Sequence, residues 1–228
     1  MKPTNNKSYK TKLWIIILLL PFTITVYILA IIGWHELQKI PAVQEWAEAI
    51  QESTNKLDVP KEYIAIYKDA EEQYGVPWTL LAAHHRIETR FSTMDPLLSP
   101  VGAEGHMQFM PCTFVGWSHP SCSGLGVGDI PEKDKVNPDI IAQYGGYGVD
   151  ANGDGKADPY DLEDAIYSAA NYLAASGAAD GEIEKAIFNY NHSDKYVKDV
   201  LHFYHLYENQ LEAIQAVTAK KIEKEDGF

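Results

Sequence analysis

Hydrophobic and polar positions follow several different rhythms along this chain. From Leu13 to Trp34 there are 22 residues without a charge, LWIIILLLPFTITVYILAIIGW. As a helix rising about 1.5 Å per residue this run spans roughly 33 Å, the thickness of a bilayer's apolar core. It predicts a transmembrane helix over 13–34, behind a short segment 1–12, in which Pro21 is tolerated as a kink. Over 35–59 charged and apolar residues interleave, and Val43, Trp46, Ala47 and Ile50 fall at i, i+3, i+4, i+7, which predicts an amphipathic stalk helix. A second stripe, Tyr63, Ile64, Tyr67, Ala70 and Tyr74, stops at Gly75, and Pro77 opens a further helix. That helix carries Leu80, Leu81, His84, Ile87 and Phe91 and runs out near Ser92. Residues 111–160 are rich in Gly, Pro, Asp and Ser and predict loops with short helical pieces. Helices are expected over about 161–176, 182–191 and 194–210, and a charged, fraying tail over 211–228. Period-2 alternation of useful length is missing, so the fold class is mainly α, with residues 60–210 as one domain.

Charge sharpens this layout. The formal net charge is −13, and all 32 acidic residues lie at or beyond Glu36, whereas Lys2, Lys7, Lys10 and Lys12 are the only charges before it. Lysines on the N-terminal side of an apolar span, with Trp14 and Trp34 at its ends, predict a cytoplasmic N-terminus, an anchor in the cell membrane and an extracellular acidic body. A cleaved leader is the alternative, but the apolar run is longer than a usual leader's core. An acidic body without a basic stripe argues against nucleic-acid binding. The external part holds Cys112 and Cys122, where thiols are commonly oxidised, so a disulfide closing a loop of about ten residues is expected, with two unpaired thiols as the alternative. Zinc is disfavoured, because two cysteines at this spacing lack a matching pair.

The helix that begins at Pro77 ends in HHRIETRF. Glu88 lies next to core-facing Ile87, at the edge of the buried stripe. A carboxyl half-withdrawn from water is harder to ionise, so its pKa rises and it can donate a proton near neutral pH. On helix position alone such a residue is usually a solvated surface glutamate. Two further blocks change that weighting: Ser99-Pro100-Val101-Gly102-Ala103-Glu104-Gly105-His106-Met107-Gln108-Phe109-Met110-Pro111-Cys112-Thr113, and a helix end at Tyr190-Asn191.

Together with Glu88-Thr89-Arg90-Phe91, these blocks resemble in order the motifs of the lytic transglycosylases of lysozyme-like fold, over roughly residues 60–205. The nearest likeness is the membrane-bound branch with an EF-hand-like loop. The resemblance implies a peptidoglycan substrate. Glu88 would be the sole general acid/base, cutting the β-1,4 bond between N-acetylmuramic acid and N-acetylglucosamine and leaving a 1,6-anhydromuramyl end. It further implies that Gln108, Asn191 and Ser99 contact saccharide or the acid, that the Tyr190 hydroxyl contacts the catalytic carboxyl, and that Met107 helps keep that carboxyl dry. Phe91, Phe109 and Trp117 read as core rather than sugar platforms. Asp95 and Glu104 read as structural, and His106 and the His84-His85 pair depart from the family pattern. A goose-type-like muramidase using water, and a non-catalytic calcium-dependent wall-binding module, are the competing readings.

Between the second and third blocks, Asp150, Asn152, Asp154, Asp158 and Asp161 stand at positions 1, 3, 5, 9 and 12 of a loop with Gly155 at 6. With the Lys156 carbonyl at position 7 this is an EF-hand spacing, and hard oxygen donors in that register suit a structural Ca²⁺. The alternative is an Asx- and Gly-rich turn in which Asp161 or Asp164 caps the next helix.

Overall fold

A computed structural model of the chain describes residues 58–225, together with positions 26, 27, 29 and 40. The expected membrane span 13–34 and the stalk 35–59 therefore lie almost wholly outside the described residues. Among the described residues no helix is long and apolar enough to cross a membrane. The chain divides into two compact units, one of Asn55–Val217 and one of Met1–Thr54 with Thr218–Phe228. The first unit holds all three sequence blocks and the acidic loop.

In chain order the helices are α1 (Lys61–Tyr74), α2 (Trp78–Thr89), α3 (Pro111–Val115), α4 (Glu132–Lys135), α5 (Pro138–Tyr144), α6 (Leu162–Ala175), α7 (Ile183–Asn191) and α8 (Asp194–Glu225), with a 3₁₀ turn at Ala178–Asp180 between α6 and α7. Strand pairing among the described residues is limited to the isolated bridges Leu98–Glu104 and Glu104–Phe109, so the mainly helical expectation holds there. The stop at Gly75 is as expected: its φ of 69° is the left-handed cap conformation, and its N–H reaches the Glu71 carbonyl at 2.7 Å, satisfying an orphan acceptor.

Helix α2 lies at the centre. Trp78, Leu80, Leu81, Ala82 and Ala83 are buried on all sides of it, and so are the polar Thr79, His84, His85 and Thr89. Helices α1 and α6 pack on it and on each other. The α6 stripe Ala165, Ile166, Ala169, Ala170, Leu173 is fully buried, and its small residues let the helices approach closely. Each fully buried Leu here contributes about 2–3 kcal/mol of transfer free energy.

Helix α8 continues to Glu225, well beyond the expected end near Gln210. Residues 211–225 are mostly Leu, Ala, Gln, Lys, Ile and Glu without a glycine or proline, a composition in which nothing stops a helix. The expected disulfide joins Cys112 and Cys122, with Cα atoms 5.6 Å apart. It ties α3 to the loop after it.

Candidate active site

Glu88 sits on the last turn of α2, and its carboxyl is withdrawn from water. Burial raises its pKa to about 8, opposed by a hydrogen bond that the Tyr196 hydroxyl donates to Oε1. Tyr196 comes from the first turns of α8 and is itself buried. Because its proton goes to the carboxylate, its oxygen accepts from His84 Nδ1, 2.9 Å away. His84 is fully buried and held neutral, its pKa lowered to about 3 by desolvation. With Nδ1 carrying the proton, Nε2 is a bare lone pair, and it is the ring atom that has no partner. The acid is thus backed by a phenol and a neutral imidazole rather than by a second charge.

Rings close the rest of the site. Tyr190 and Tyr196 are parallel at 6.4 Å, His84 lies 4.8 Å from Tyr190, and Phe109 lies 5.7 Å from it. Tyr172 and then Tyr147 continue the row at 5.4 and 4.5 Å. Burial, and after it the nearby Glu88 charge, push the phenols of Tyr190 and Tyr196 well above their ordinary range. They stay protonated donors.

Immediately after Glu88 the backbone turns in an unusual way. Arg90, Phe91 and Ser92 all have positive φ, at 52°, 58° and 65°, each costing on the order of 1 kcal/mol for a residue with a side chain. Hydrogen bonds over-determine the turn. Thr89 Oγ1 donates to the His106 carbonyl at 2.8 Å and accepts from Ser92 N–H at 3.0 Å. Ser92 Oγ lies 2.7 Å from both His85 Nε2 and His106 Nδ1. His106 Nε2 faces the Tyr160 carbonyl at 2.9 Å, and Tyr67 faces His85 Nδ1 at 2.6 Å. A carbonyl only accepts, so for neutral imidazoles the protons run one way: Tyr67 to His85, His85 to Ser92, Ser92 to His106, His106 to Tyr160. Burial lowers the pKa of both histidines, which keeps them in the neutral state this chain requires.

The Ser99–Thr113 block forms the adjoining wall. Gly105 is required in it: φ is 78°, and a Cβ there would lie 1.8 Å from the Pro159 carbonyl oxygen. Ser99 does not contact Glu88; its Oγ accepts from Ala103 N–H at 2.8 Å and closes the loop. Met107 is fully buried. Gln108, at a positive φ of 50°, donates to the Gly105 carbonyl at 2.8 Å. The Tyr190 hydroxyl donates to the Met107 carbonyl at 2.9 Å, so the contact expected of Tyr190 is made by Tyr196. The physical reason is that Tyr190, at the end of α7, reaches the wall, whereas Tyr196, one turn into α8, faces α2. Asn191 ends α7 and is exposed. Phe109 is core, but Trp117 is 53% exposed rather than buried. Glu104 is structural as expected: it pairs with Lys135 at 2.7 Å. Asp95 is exposed.

The loop 150–161 packs behind this wall, with His106 N–H donating to the Pro159 carbonyl at 3.0 Å. Its acidic oxygens turn onto the loop's own amides. Asp150 accepts from Gly153, Asp154 and Gly155; Asn152 accepts from Asp154; Asp154 accepts from Lys156; Asp158 accepts from Tyr160. Asp161 caps α6 through Glu163 and Asp164 N–H, and buried Asp164 ties Ala151, Asn152 and Asp158 N–H together. This inward turning is compatible in register with a hard cation. Among the described residues, however, no three His, Cys, Asp or Glu side chains converge as metal ligands, although their oxygens are of the kind a hard cation takes.

Comparison with known proteins adds a second line. A family model described as the transglycosylase SLT domain matches residues 140–185, the part that holds the acidic loop and α6. An L-Ala–D-Glu endopeptidase of Bacillus subtilis (strain 168) is 27% identical over 143 residues, which cover 63% of this chain and 40% of that protein. The match thus spans well under half of the relative's length. No solved structure gives a significant match. The SLT match falls on a stretch separate from the Glu88, Ser99–Thr113 and Tyr190 blocks, and with the mainly helical fold of the described residues it supports the likeness of this chain to the transglycosylase SLT domain.

Proposed function

We propose that this protein is a membrane-anchored peptidoglycan lytic transglycosylase that cleaves the β-1,4 bond between N-acetylmuramic acid and N-acetylglucosamine. Glu88 first protonates the glycosidic oxygen as the C1–O bond breaks, assisted by the sugar's own acetamido group. The Glu88 carboxylate then takes the proton of the muramyl C6 hydroxyl, whose oxygen bonds to C1 and closes the 1,6-anhydro ring. Glu88 ends as it began, and no water is consumed. The observation that carries this reading is a carboxyl withdrawn from water at the end of α2 whose hydrogen-bond partner is the Tyr196 hydroxyl rather than a second acid. Two-carboxylate hydrolases instead pair the acid with a second group that attacks or activates water. Gln108 and Asn191 are proposed to contact the saccharide, and Met107 to shield the acid. The Tyr172–Tyr147 pair extends the row of rings along which sugars can stack.

Mass spectrometry of digested wall tests the reaction. Anhydromuramyl ends, one water lighter than hydrolysis products, are expected from the wild type and none from Glu88→Gln. Hydrated reducing ends alone would favour the goose-type muramidase, and undiminished lysis by Glu88→Gln would remove Glu88 from the mechanism. The endopeptidase name belongs to a protein of which the match covers 40%. A thiol nucleophile is unavailable here, since the chain's two cysteines are joined to each other.

The anchor is part of the proposal. The apolar run 13–34 would hold the catalytic unit at the outer face of the cell membrane, which also suits a disulfide-bonded domain. Retention of the full chain in membranes after alkaline carbonate extraction is expected, and release into the supernatant would contradict it. The loop's Asp150, Asn152, Asp154, Asp158, Asp161 and the Lys156 carbonyl are proposed to hold a structural Ca²⁺, whose contribution would be to rigidify the support behind the Gly105–His106 wall.

A further inference from the structure

Arg86 and Arg90 are the only arginines in a chain whose other cations are lysines and whose net charge is −13. Both line one cleft of about 420 Å³, whose remaining walls are Ile87, Phe91 and Phe203. Three apolar side chains and two arginines line it. Arg86 lies over the Phe203 ring at 4.3 Å and within 5.9 Å of Phe91, and it pairs with Asp58. That pairing and stacking fix it in place. Arg90 is the left-handed cap of α2 and is exposed; among the described residues no ion pair uses its guanidinium.

Neutralising the helix end would be a sufficient role for one cation, and a lysine would serve it as well. A planar fork beside an already oriented partner, over aliphatic and aromatic carbon, is instead what recognises a carboxylate joined to a short apolar stem. An anion approaching so acidic a molecule needs such a local positive site. Arg86 and Arg90 stand two residues before and after Glu88, Arg86 on α2 and Arg90 at its cap, and at about 100° per residue that spacing points the arginines to the face of α2 away from the acid.

We propose that this cleft binds a free carboxylate of the short peptide carried by the glycan substrate, on the face of α2 away from the acid. The identity of the ligand rests on the proposed function; the existence of a carboxylate site does not. Isothermal titration of the full-length protein in detergent with the dipeptide alanyl-D-glutamate, and with the same dipeptide amidated at both carboxyls, tests it. Saturable binding of the diacid is expected, at least tenfold tighter than the diamide, weakened at least tenfold by Arg90→Gln and severalfold by Arg90→Lys, which keeps a charge but loses the fork. Glu88→Gln should bind the diacid as the wild type does. Equal affinity for diacid and diamide, absence of binding, or wild-type affinity in both Arg90 variants would each overturn the proposal. Lysis that survives in Glu88→Gln would sink the proposed reaction and leave the carboxylate site standing, whereas loss of peptide binding with normal lysis would do the reverse.

Discussion

At the scale of single residues, the site is a carboxyl held where it prefers its proton. A general acid must be protonated to act, so kcat/KM should hold through neutral pH and fall above about 8, where Glu88 ionises. The Tyr196 hydroxyl stabilises the ionised form and therefore lowers that pKa against the larger effect of burial. Tyr196→Phe should move the alkaline limb upward, by about one pH unit, the equivalent of ~1.4 kcal/mol. A limb that stays in place or moves down, measured on defined glycan strands, would show that the phenol does not govern the acid. Glu88 was legible in the sequence because the Ser99–Thr113 and Tyr190-Asn191 blocks follow it in order; its place at the edge of an apolar stripe alone reads as a surface glutamate. Tyr196 was not, because its contact spans 108 residues and depends on how α8 packs across α2. A faint signal existed: Tyr196, Val197, Val200 and Tyr207 form an inward stripe on α8, in which the one tyrosine near the helix start is a candidate for any buried acid.

At the scale of elements, the helices with clear punctuation were legible, and those without it were not. Gly75 and Pro77 bound α1 and α2, and Asp161 and Gly177 bracket α6. Helix α8 outruns its expected end because its polar second half resembles a solvated tail, although helix propensity alone can carry it. The left-handed run Arg90–Ser92 was also hidden, since none of the three is a glycine and the conformation is imposed by Thr89 and the two histidines. The acidic loop is tied to that turn through Gly105, His106, Pro159 and Tyr160. If it holds Ca²⁺, chelation should destabilise the folded unit by linkage, about 2.7 kcal/mol when the ion stands at ~100 times its dissociation constant. For a chain of this size that corresponds to a melting temperature lower by roughly 5–10 °C. Calorimetry with EGTA, followed by restored Ca²⁺, checks it; an unchanged melting temperature means that the loop is held by its own amides alone.

At the scale of the whole molecule, the arrangement that makes Glu88 an acid also costs stability, and pH exposes the cost. In the unfolded chain the carboxyl titrates near 4.5, and in the folded one near 8. Below about 4.5 both states hold the proton and the group is neutral in its effect. Between those values the folded state binds more protons than the unfolded one, so stability falls as pH rises, and above about 8 the penalty is complete. Buried His84 and His85 act in the opposite sense: their folded pKa lies near 3, so their burial costs least above the ordinary histidine range and most as pH falls through it. Comparing Glu88→Gln with the wild type at each pH cancels the histidine contribution and isolates the carboxyl. Gln keeps the shape and still accepts from Tyr196, but it cannot ionise. The variant should match the wild type in melting temperature near pH 4.5 and exceed it by roughly 10 °C or more at pH 9, since a shift from 4.5 to about 8 corresponds to about 5 kcal/mol. A gap that does not grow with pH would mean that the carboxyl reaches water freely when charged, and with that the basis for a single-acid mechanism would be lost.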